Sequence, residues 1–281
     1  MLNFLVWNQH KKNLIRAIVD IYNSERFDFI ALIESQVDPN STIKSLNAVS
    51  RYNFRSVVDP NPEPYFIIIY NDKFSDVQIR LDNTRVVIYQ LFPKSYLDLI
   101  LVTLHIPSKL RSSSKRQALF VRKTIDSIRS IEQYLNHDRT IVIGDFNLNP
   151  YDDAMLGADE FHTCMDLNHL RSRPSRIVHG DEFHHFYNPM WGTMGDRTTG
   201  PPGTYFYDDS SEYINTFWNT YDQVILRPSI ANILSSSSPK IITNSKNYNF
   251  LDFNGRPDSA LASDHLPIAF SLDDNQIKEA K

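Results

Sequence analysis

The sequence has little of what stabilises small secreted domains or anchors proteins in membranes. Its 281 residues include one cysteine, Cys164, which excludes an internal disulfide and a cysteine-based metal cluster. No apolar run is long enough to cross a bilayer, and no basic leader with a cleavage site precedes the first apolar segment. We therefore expect a cytoplasmic protein without a membrane span.

Charge of one sign and glycine are also scarce. The 29 Lys and Arg residues and the 33 Asp and Glu residues leave a formal charge of -4, which argues against bulk attraction to nucleic acid but allows a local basic patch. With 8 glycines, 15 prolines and 41% hydrophobic residues, the composition is that of a globular protein. The length suits one large domain, expected over residues 1–275, with a polar tail at 276–281. The oligomeric state is not indicated.

What is present is a series of apolar segments that each end on a polar residue. Residues 140–143 are typical of a buried strand, and Gly144 should let the backbone turn so that Asp145 and Asn147 emerge together at the rim of a sheet. A lone Gly-Asp-x-Asn is more typical of a strand followed by an Asx turn. The arrangement recurs at other predicted strand ends, namely Asn8, Glu34, His105, Asp222, Asp264 and His265. Each could be a surface or structural residue by itself, but the repetition favours a functional rim.

The hydrophobic pattern predicts strands interspersed with a few helices. Helices are expected at about 12–23, 42–49, 114–135 and 153–168, with Ser114 and Gln117 forming a capping box at the start of the third. Strands are expected at 4–7, 29–33, 65–70, 86–92, 97–106, 140–143, 204–207, 221–226, 240–243 and 262–270.

Residues 151–203 are expected to form a long insert loop, and loops of this length in compact domains are usually functional or disordered. The insert contains basic and aromatic residues that suit phosphates and bases, namely Arg171, Arg173, Arg176, Phe186, Tyr187 and Trp191. A solvated excursion with a small core of its own is an equally good interpretation.

Oxygen donors dominate the predicted rim, and thiolates are absent from it. This donor set suits Mg²⁺ or Mn²⁺ better than a structural zinc ion. Because Mg²⁺ typically takes one or two carboxylates and leaves its other positions to water and phosphate oxygens, Glu34 with Asp264 or Asn8 would be sufficient. The residues therefore indicate phosphoryl chemistry.

Six short motifs resemble those of the endonuclease/exonuclease/phosphatase superfamily and occur in the same order along the chain. This superfamily includes pancreatic deoxyribonuclease, abasic-site endonucleases, neutral sphingomyelinases and inositol polyphosphate 5-phosphatases. They are Trp7-Asn8, Ile33-Glu34-Ser35, Leu104-His105, Gly144-Asp145-Phe146-Asn147, Tyr221-Asp222-Gln223-Val224 and Ser263-Asp264-His265. The resemblance spans nearly the whole chain. It implies an α+β fold, a four-layer αββα sandwich of two packed mixed β-sheets flanked by helices, with the site at one end of the sheets.

The resemblance also implies an in-line attack of water on phosphorus, assisted by a divalent cation. Glu34 would bind the Mg²⁺ or Mn²⁺ with help from Asn8 and Asp264. Asp145 would align and deprotonate the water, and Asn147 would orient it or contact the phosphoryl oxygens.

Two histidines complete the implied set. His265 would stabilise the charge that develops on the phosphate, and Asp222 would hold its tautomer. His105 would protonate the leaving oxygen, supported by Glu63, whose neighbours are similar to a deoxyribonuclease segment. Lys109 and the three arginines of the insert would bind the substrate.

The resemblance leaves the substrate open. Our first hypothesis is a metal-dependent nuclease acting on DNA or RNA. The second is a phosphodiesterase or phosphatase acting on a small or lipid phosphoester, and the third is a non-catalytic binding module with the same fold. Asn8 is followed by Gln9-His10 and not by the acidic residue of the abasic-site group, so a dedicated abasic-site role is not expected.

Overall fold

Two β-sheets and their flanking helices make up the computed structural model, which describes residues 1–58, 65–95, 97–109, 112–197, 200–209 and 213–273. The strands are β1 (Leu2–Lys12), β2 (Phe29–Ser35), β3 (Phe54–Ser56), β4 (Phe66–Asn71), β5 (Phe74–Asp82), β6 (Val86–Pro93), β7 (Leu99–His105), β8 (Thr140–Asp145), β9 (Thr163–Cys164), β10 (Ser175–Val178), β11 (Asp181–His184), β12 (Phe186–Tyr187), β13 (Tyr205–Phe206), β14 (Trp218–Asn219), β15 (Asp222–Leu226), β16 (Lys240–Ile241) and β17 (Ile268–Leu272). The helices are α1 (Ile15–Ser24), α2 (Pro39–Asn47), α3 (Ser114–Leu135), α4 (Asp153–Leu156), α5 (Leu167–Ser172) and α6 (Pro228–Ala231), with a 3₁₀ helix at Pro189–Thr193.

Both large sheets are mixed. The first sheet has the strand order β16-β17-β1-β2-β4-β3, in which β1 and β2 are parallel. The second sheet has the order β5-β6-β7-β8-β15-β12-β9, in which β7 and β8 are parallel. Two further pairs, β10-β11 and β13-β14, form separate two-stranded ribbons.

The inner faces of the two sheets share one hydrophobic core. Phe4 and Val6 of β1 point into it from the first sheet, and Leu101, Ile143 and Val224 do so from the second. Alternation along each strand sends every second residue inward. The burial of these side chains removes their apolar surface from water, and this stabilises the face-to-face packing of the two sheets.

Helices cover the outer faces. Leu5 and Trp7, the alternate residues of β1, pack in one core with Ile18 of α1, and Val102 of β7 packs in another with Ile125 of α3. The predicted four-layer αββα sandwich is therefore confirmed. In the described parts of the chain, no helix combines the length and apolar character that a bilayer crossing requires.

The parallel strands explain why polar residues far apart in sequence meet. Parallel neighbours end at the same edge of a sheet, so β7 and β8 place His105 directly beside Asp145. The antiparallel strand β15 starts at this edge and places Asp222 on the other side of Asp145. In the first sheet, β1 and β2 bring Asn8 and Ile33 into register, one residue before Glu34.

The predicted helix at about 153–168 is wrong. Two short helices, α4 and α5, stand there, separated by a turn and by β9. Gly157 leaves the helical conformation and ends α4, and Cys164 pairs with Tyr187 of β12. Pairing with the second sheet therefore outweighs the local helical pattern.

The predicted capping box is also wrong. Ser113 is the N-cap of α3, and no side chain caps the helix. The Gln117 side chain is fully buried and donates to loop carbonyls of Pro107 and Asn147. Gln117 is thereby drawn away from the helix terminus.

The sequence pattern missed the edge strand β5. Its pairing with β6 shifts register between Phe74 and Asp76 and again between Ile79 and Leu81. Bulges of this kind interrupt the alternation of buried and exposed residues by which a strand is recognised.

Candidate active site

Asp145 lies at the centre of a polar cluster at the carboxyl ends of the parallel strands. Its Oδ2 accepts a hydrogen bond from Asn8 Nδ2 at 3.0 Å. Its Oδ1 accepts one from the backbone N–H of Asn147 at 3.0 Å. The Nε2 atoms of His105 and His265 lie 3.5 Å and 3.9 Å from Oδ2. Burial raises the pKa of Asp145 to about 7, although the positive charge of His265 opposes the rise.

Gly144 permits this arrangement, but not by the turn that we expected. It lies inside β8, at a φ of 145°. A Cβ atom at this position would lie 1.9 Å from the Leu104 carbonyl oxygen of β7. The close approach of β7 to β8 therefore requires glycine.

The turn itself is made by Asn147, at a φ of 48°. This left-handed conformation is uncommon outside glycine and is found at functional sites. The Asn147 side chain donates to the Ile106 carbonyl at 3.0 Å. Gln117 supports both loops from behind, because its Nε2 lies 2.9 Å from the Pro107 oxygen and 3.4 Å from the Asn147 oxygen.

His265 is held by a buried carboxylate. Its Nδ1 donates to Asp222 Oδ2 at 2.8 Å, which leaves Nε2 directed toward Asp145. Burial alone would lower the pKa of His265, but the charges of Asp222 and Asp145 outweigh it and raise the pKa to about 10. His265 is therefore an imidazolium at neutral pH.

His105 is in the opposite state. Burial, followed by the nearby charges of Arg85 and His265, lowers its pKa to about 3, so the ring is neutral at neutral pH. The expected partner Glu63 lies outside the described residues. The carboxylate that faces His105 on its Nδ1 side is that of Glu34, whose Oε1 lies 3.6 Å from Nδ1, while Asp145 lies on the Nε2 side.

Glu34, Asn8 and Asp264 all line the same cleft as Asp145. Within the described segments, no three His, Cys, Asp or Glu side chains are placed to hold a metal ion by themselves. No Lys or Arg of those segments pairs with Glu34 or Asp264, whose side chains are 22% and 27% exposed. Hard oxygen donors that no Lys or Arg neutralises fit a Mg²⁺ ion that keeps water and phosphate as further ligands, and not a caged ion.

A bulge in β1 forms one side of the cleft. The register between β1 and β2 shifts after Asn8 and resumes at Lys12. His10 and Lys11 take left-handed conformations within the bulge, at φ values of 46° and 57°. The bulge turns both side chains toward the cleft, where His10 Nδ1 lies 3.2 Å from Asp264 Oδ1.

The cleft has a volume of about 610 Å³. Basic side chains reach it from the β1 bulge and from two loops, namely Lys11, Arg85 and Lys109. Lys109 is paired with Asp152 at 2.7 Å. Arg85 contacts the site directly, because it donates to the His105 carbonyl at 3.3 Å and covers the Tyr65 ring at 4.8 Å.

Several solved structures share this fold. An endonuclease/exonuclease/phosphatase family protein from Leptotrichia buccalis has a TM-score of 0.58 at 12% identity, over 97% of this chain and 100% of that chain. The chain has the endonuclease/exonuclease/phosphatase fold. A 3' phosphatase, NExo, from Neisseria, bound to a product DNA hairpin, has a TM-score of 0.56 at 12% identity, over 97% of this chain and 100% of that chain. D. rerio TDP2 complexed with a single-strand DNA product has a TM-score of 0.52 at 17% identity, over 96% of this chain and 97% of that chain. No protein-family model matches the sequence, and no curated protein sequence is significantly similar to it.

This endonuclease/exonuclease/phosphatase fold brings most of the sequence-predicted residues together. The residues that line the cleft are Asn8, Glu34, His105, Lys109, Asp145, Asn147, Asp264 and His265. Asp222 lies behind them, fully buried against His265.

The arginines of the insert lie elsewhere in the fold. Arg171, Arg173 and Arg176 are exposed and do not line the cleft. They belong to α5, its carboxyl end and β10, near the strand β12 that pairs with Leu226. β15 runs from Asp222, beside the cleft, to Leu226. At ~3.3 Å per residue these two residues are about 13 Å apart, so β12 pairs with the end of β15 that is away from the cleft.

Sequence reasoning missed three groups of the site. Arg85 lies just before β6, Gln117 lies in α3, and Tyr205 packs against His265 with ring centroids 4.7 Å apart. None of these three residues comes directly after an apolar run, as Asp145 does. The bridge that joins Tyr205 to His265 is a tertiary contact without a local sequence signal.

Proposed function

We propose that this protein is a divalent-metal-dependent phosphodiesterase that cleaves nucleic acid, DNA or RNA, by in-line attack of water. The observation that carries the proposal is the surroundings of Asp145. One buried carboxylate whose pKa is raised to about 7 lies within 4 Å of two histidines in opposite charge states. Acid and base catalysis at neutral pH requires neighbouring groups whose pKa values differ from one another.

Asp145 is the proposed general base. A water molecule that attacks phosphorus must lose a proton, and a base with a pKa near the working pH accepts it best. Asn8 and Asn147 fix the carboxylate through the two hydrogen bonds already described. Asn147, which also lines the cleft, would contact the phosphoryl group with its side chain.

His265 is the proposed stabiliser of the transition state. Negative charge grows on the phosphoryl oxygens during the attack, and an imidazolium held in place by Asp222 stabilises that charge without rearrangement. The Asp222 carboxylate also keeps the Nδ1 proton in place, so Nε2–H points toward the reacting group.

Glu34, Asn8 and Asp264 are the proposed holders of the divalent cation. When bound, a Mg²⁺ or Mn²⁺ ion would supply positive charge to the phosphate. The left-handed backbone of Glu34, at a φ of 45°, presents its carboxylate to the cleft.

His105 is the proposed donor of a proton to the leaving oxygen. Its pKa of about 3 is too low for this role in the free protein. The role therefore requires that the negative charge of a bound phosphate favour the imidazolium form.

The basic groups of the cleft favour a polymer with several phosphates. In the part of the chain that the structure describes, neither Lys11 nor Arg85 forms an ion pair with a carboxylate, and they enter the cleft from different sheets. Two cleft cations without a carboxylate partner suit the phosphates that flank a scissile bond.

Exposed apolar side chains favour one second candidate, a lipid phosphodiester. Tyr213 and Ile214 are 105% and 90% exposed, and Ile214 borders the cleft. Exposed apolar groups at the mouth of a site are one sign of a lipid surface.

A substrate panel tests the proposal. Turnover of single-stranded DNA, duplex DNA, RNA, inositol phosphates, phospholipid vesicles and bis-p-nitrophenyl phosphate is measured with Mg²⁺ and with Mn²⁺. We expect phosphodiester turnover that EDTA abolishes and that either ion restores. Glu34→Gln should raise the metal concentration needed for half-maximal rate, because one anionic ligand is lost. Full activity in EDTA would refute metal dependence, and inactivity on every substrate would favour a binding module.

A further inference from the structure

One wall of the cleft is built from tyrosines. Tyr151, Tyr205, Tyr207 and Tyr221 all line the cleft, and together they are termed the tyrosine wall. Tyr205 stacks on Tyr221 with ring centroids 5.4 Å apart and an interplanar angle of 23°. Tyr205 also contacts the proposed catalytic His265 at 4.7 Å between ring centroids. The row of rings therefore begins at the reacting groups and leads away from them.

The wall remains open to a ligand. Tyr151 is 37% exposed, and its ring is braced at its edge by Trp191, 6.4 Å away between centroids. Tyr205 and Tyr221 are half-buried, and no described group forms a hydrogen bond with either hydroxyl. Burial raises the pKa of Tyr205 to about 12, so its hydroxyl stays protonated. The wall thus offers partly exposed aromatic rings and the protonated Tyr205 hydroxyl next to the site.

We propose that the tyrosine wall binds unpaired bases beside the scissile phosphate, so that the substrate is single-stranded or frayed nucleic acid. This inference rests on the proposed function. Aromatic side chains stack on bases of any sequence, because every base has a π-face. In a duplex those faces are covered by neighbouring base pairs, so only unpaired or terminal bases can reach the wall.

The other lining groups favour bases over lipid chains. Asn149, Asn215, Thr216 and Asn219 line the same cleft. Their side chains form a hydrogen-bonded polar surface, in which Asn149 Nδ2 donates to Asn219 Oδ1 at 2.8 Å and Thr216 Oγ1 to the same oxygen at 3.3 Å. A polar lining of this kind suits the donors and acceptors on the edges of bases better than an acyl chain. The exposed Ile214 lies at the rim, outside the row of rings.

The direct test is binding in EDTA, where cleavage does not occur. Fluorescence anisotropy compares three labelled DNAs of equal length: a single strand, the matching duplex, and a single strand whose central nucleotides are abasic tetrahydrofuran spacers. The spacer strand keeps the phosphates and lacks the bases. We expect the normal single strand to bind roughly 100-fold more tightly than either of the other two, about tenfold for each of two stacked bases.

Variants assign the preference to the wall. Tyr151→Leu and Tyr205→Leu should each reduce the preference for bases roughly tenfold, because stacking on that ring is lost. Tyr205→Phe should keep the preference, because the ring remains. Tyr134→Leu, at an exposed tyrosine on α3, is the matched control and should change nothing. Thermal unfolding of each variant shows whether it is folded, and Tyr151→Leu suffices if Tyr205→Leu is not.

Several results would overturn the inference. They are equal binding of the spacer strand or the duplex, a base preference that is undiminished in Tyr151→Leu, and tighter binding to phosphatidylcholine vesicles than to any oligonucleotide. The two proposals fail separately. Metal-dependent cleavage without base preference would refute the tyrosine wall alone, and base preference without cleavage would refute the proposed hydrolysis alone.

Discussion

Gln117 offers a test of how precisely the fold must hold the two catalytic loops. Its buried amide reaches from α3 and donates to the Pro107 oxygen at 2.9 Å and to the Asn147 oxygen at 3.4 Å. The two carbonyls belong to the loops after β7 and β8, which carry His105 and Asp145. Gln117→Met removes the donor and nearly conserves the side-chain length.

The expected stability loss is modest. Two neutral hydrogen bonds contribute about 0.5–1.5 kcal/mol each, and the longer one less. The Gln117 Oε1 atom has no hydrogen-bond partner among the described residues, so its removal offsets part of the loss. We expect the free energy of unfolding to fall by about 1–2 kcal/mol, which lowers Tm by roughly 2–8 °C.

The expected loss of activity is larger than the stability loss suggests. A displacement of about 1 Å in a reacting group can cost ~100-fold in rate, so kcat should fall roughly 10- to 100-fold. KM should change little, because Gln117 does not line the cleft. Steady-state kinetics on bis-p-nitrophenyl phosphate and thermal unfolding measure both effects.

The control is Gln133→Met, an exposed glutamine on the same helix. It should leave kcat and Tm unchanged. A Gln117→Met protein with normal kcat would refute the positioning role, even if its Tm fell. An equal kcat loss in Gln133→Met would trace the effect to α3 as a whole.

Four further sets of substitutions test the site and the insert. Asp145→Asn should lower kcat by roughly two to four orders of magnitude while binding of a single strand persists, and an equally active variant would require another base. His105→Ala should cripple oligonucleotide cleavage and spare bis-p-nitrophenyl phosphate, because p-nitrophenolate leaves without a proton; equal losses would contradict the acid role. Gly144→Ala should lower the free energy of unfolding by about 3 kcal/mol or more, because its methyl group meets Leu104, whereas Gly192→Ala meets no atom and should be tolerated in denaturant melts. Alanine replacement of all three insert arginines should flatten the salt dependence of polynucleotide affinity if they contact phosphates, and an unchanged slope would make them solvated residues. These are Arg171, Arg173 and Arg176.

Local patterns identified most strands and the rim residues for a physical reason. A buried strand needs an apolar run, and a charged side chain directly after such a run stays in contact with water or a partner, as Glu34 and Asp145 do. The six motifs implied the four layers through their resemblance to the endonuclease/exonuclease/phosphatase superfamily. The pattern failed where pairing is interrupted, as in β5, or where strands have two residues, as in β9 and β12.

The sequence alone determined the chemical inventory of the rim, because strand ends and oxygen donors are local properties. Only the tertiary structure decided the distances among them, the neutral state of His105 and the positive charge of His265, since these depend on burial and on charges from other strands. It also decided that the insert arginines lie away from the cleft and that Tyr205 lies beside His265. Two sheets packed face to face bring residues together across the whole chain, and no short segment contains that information.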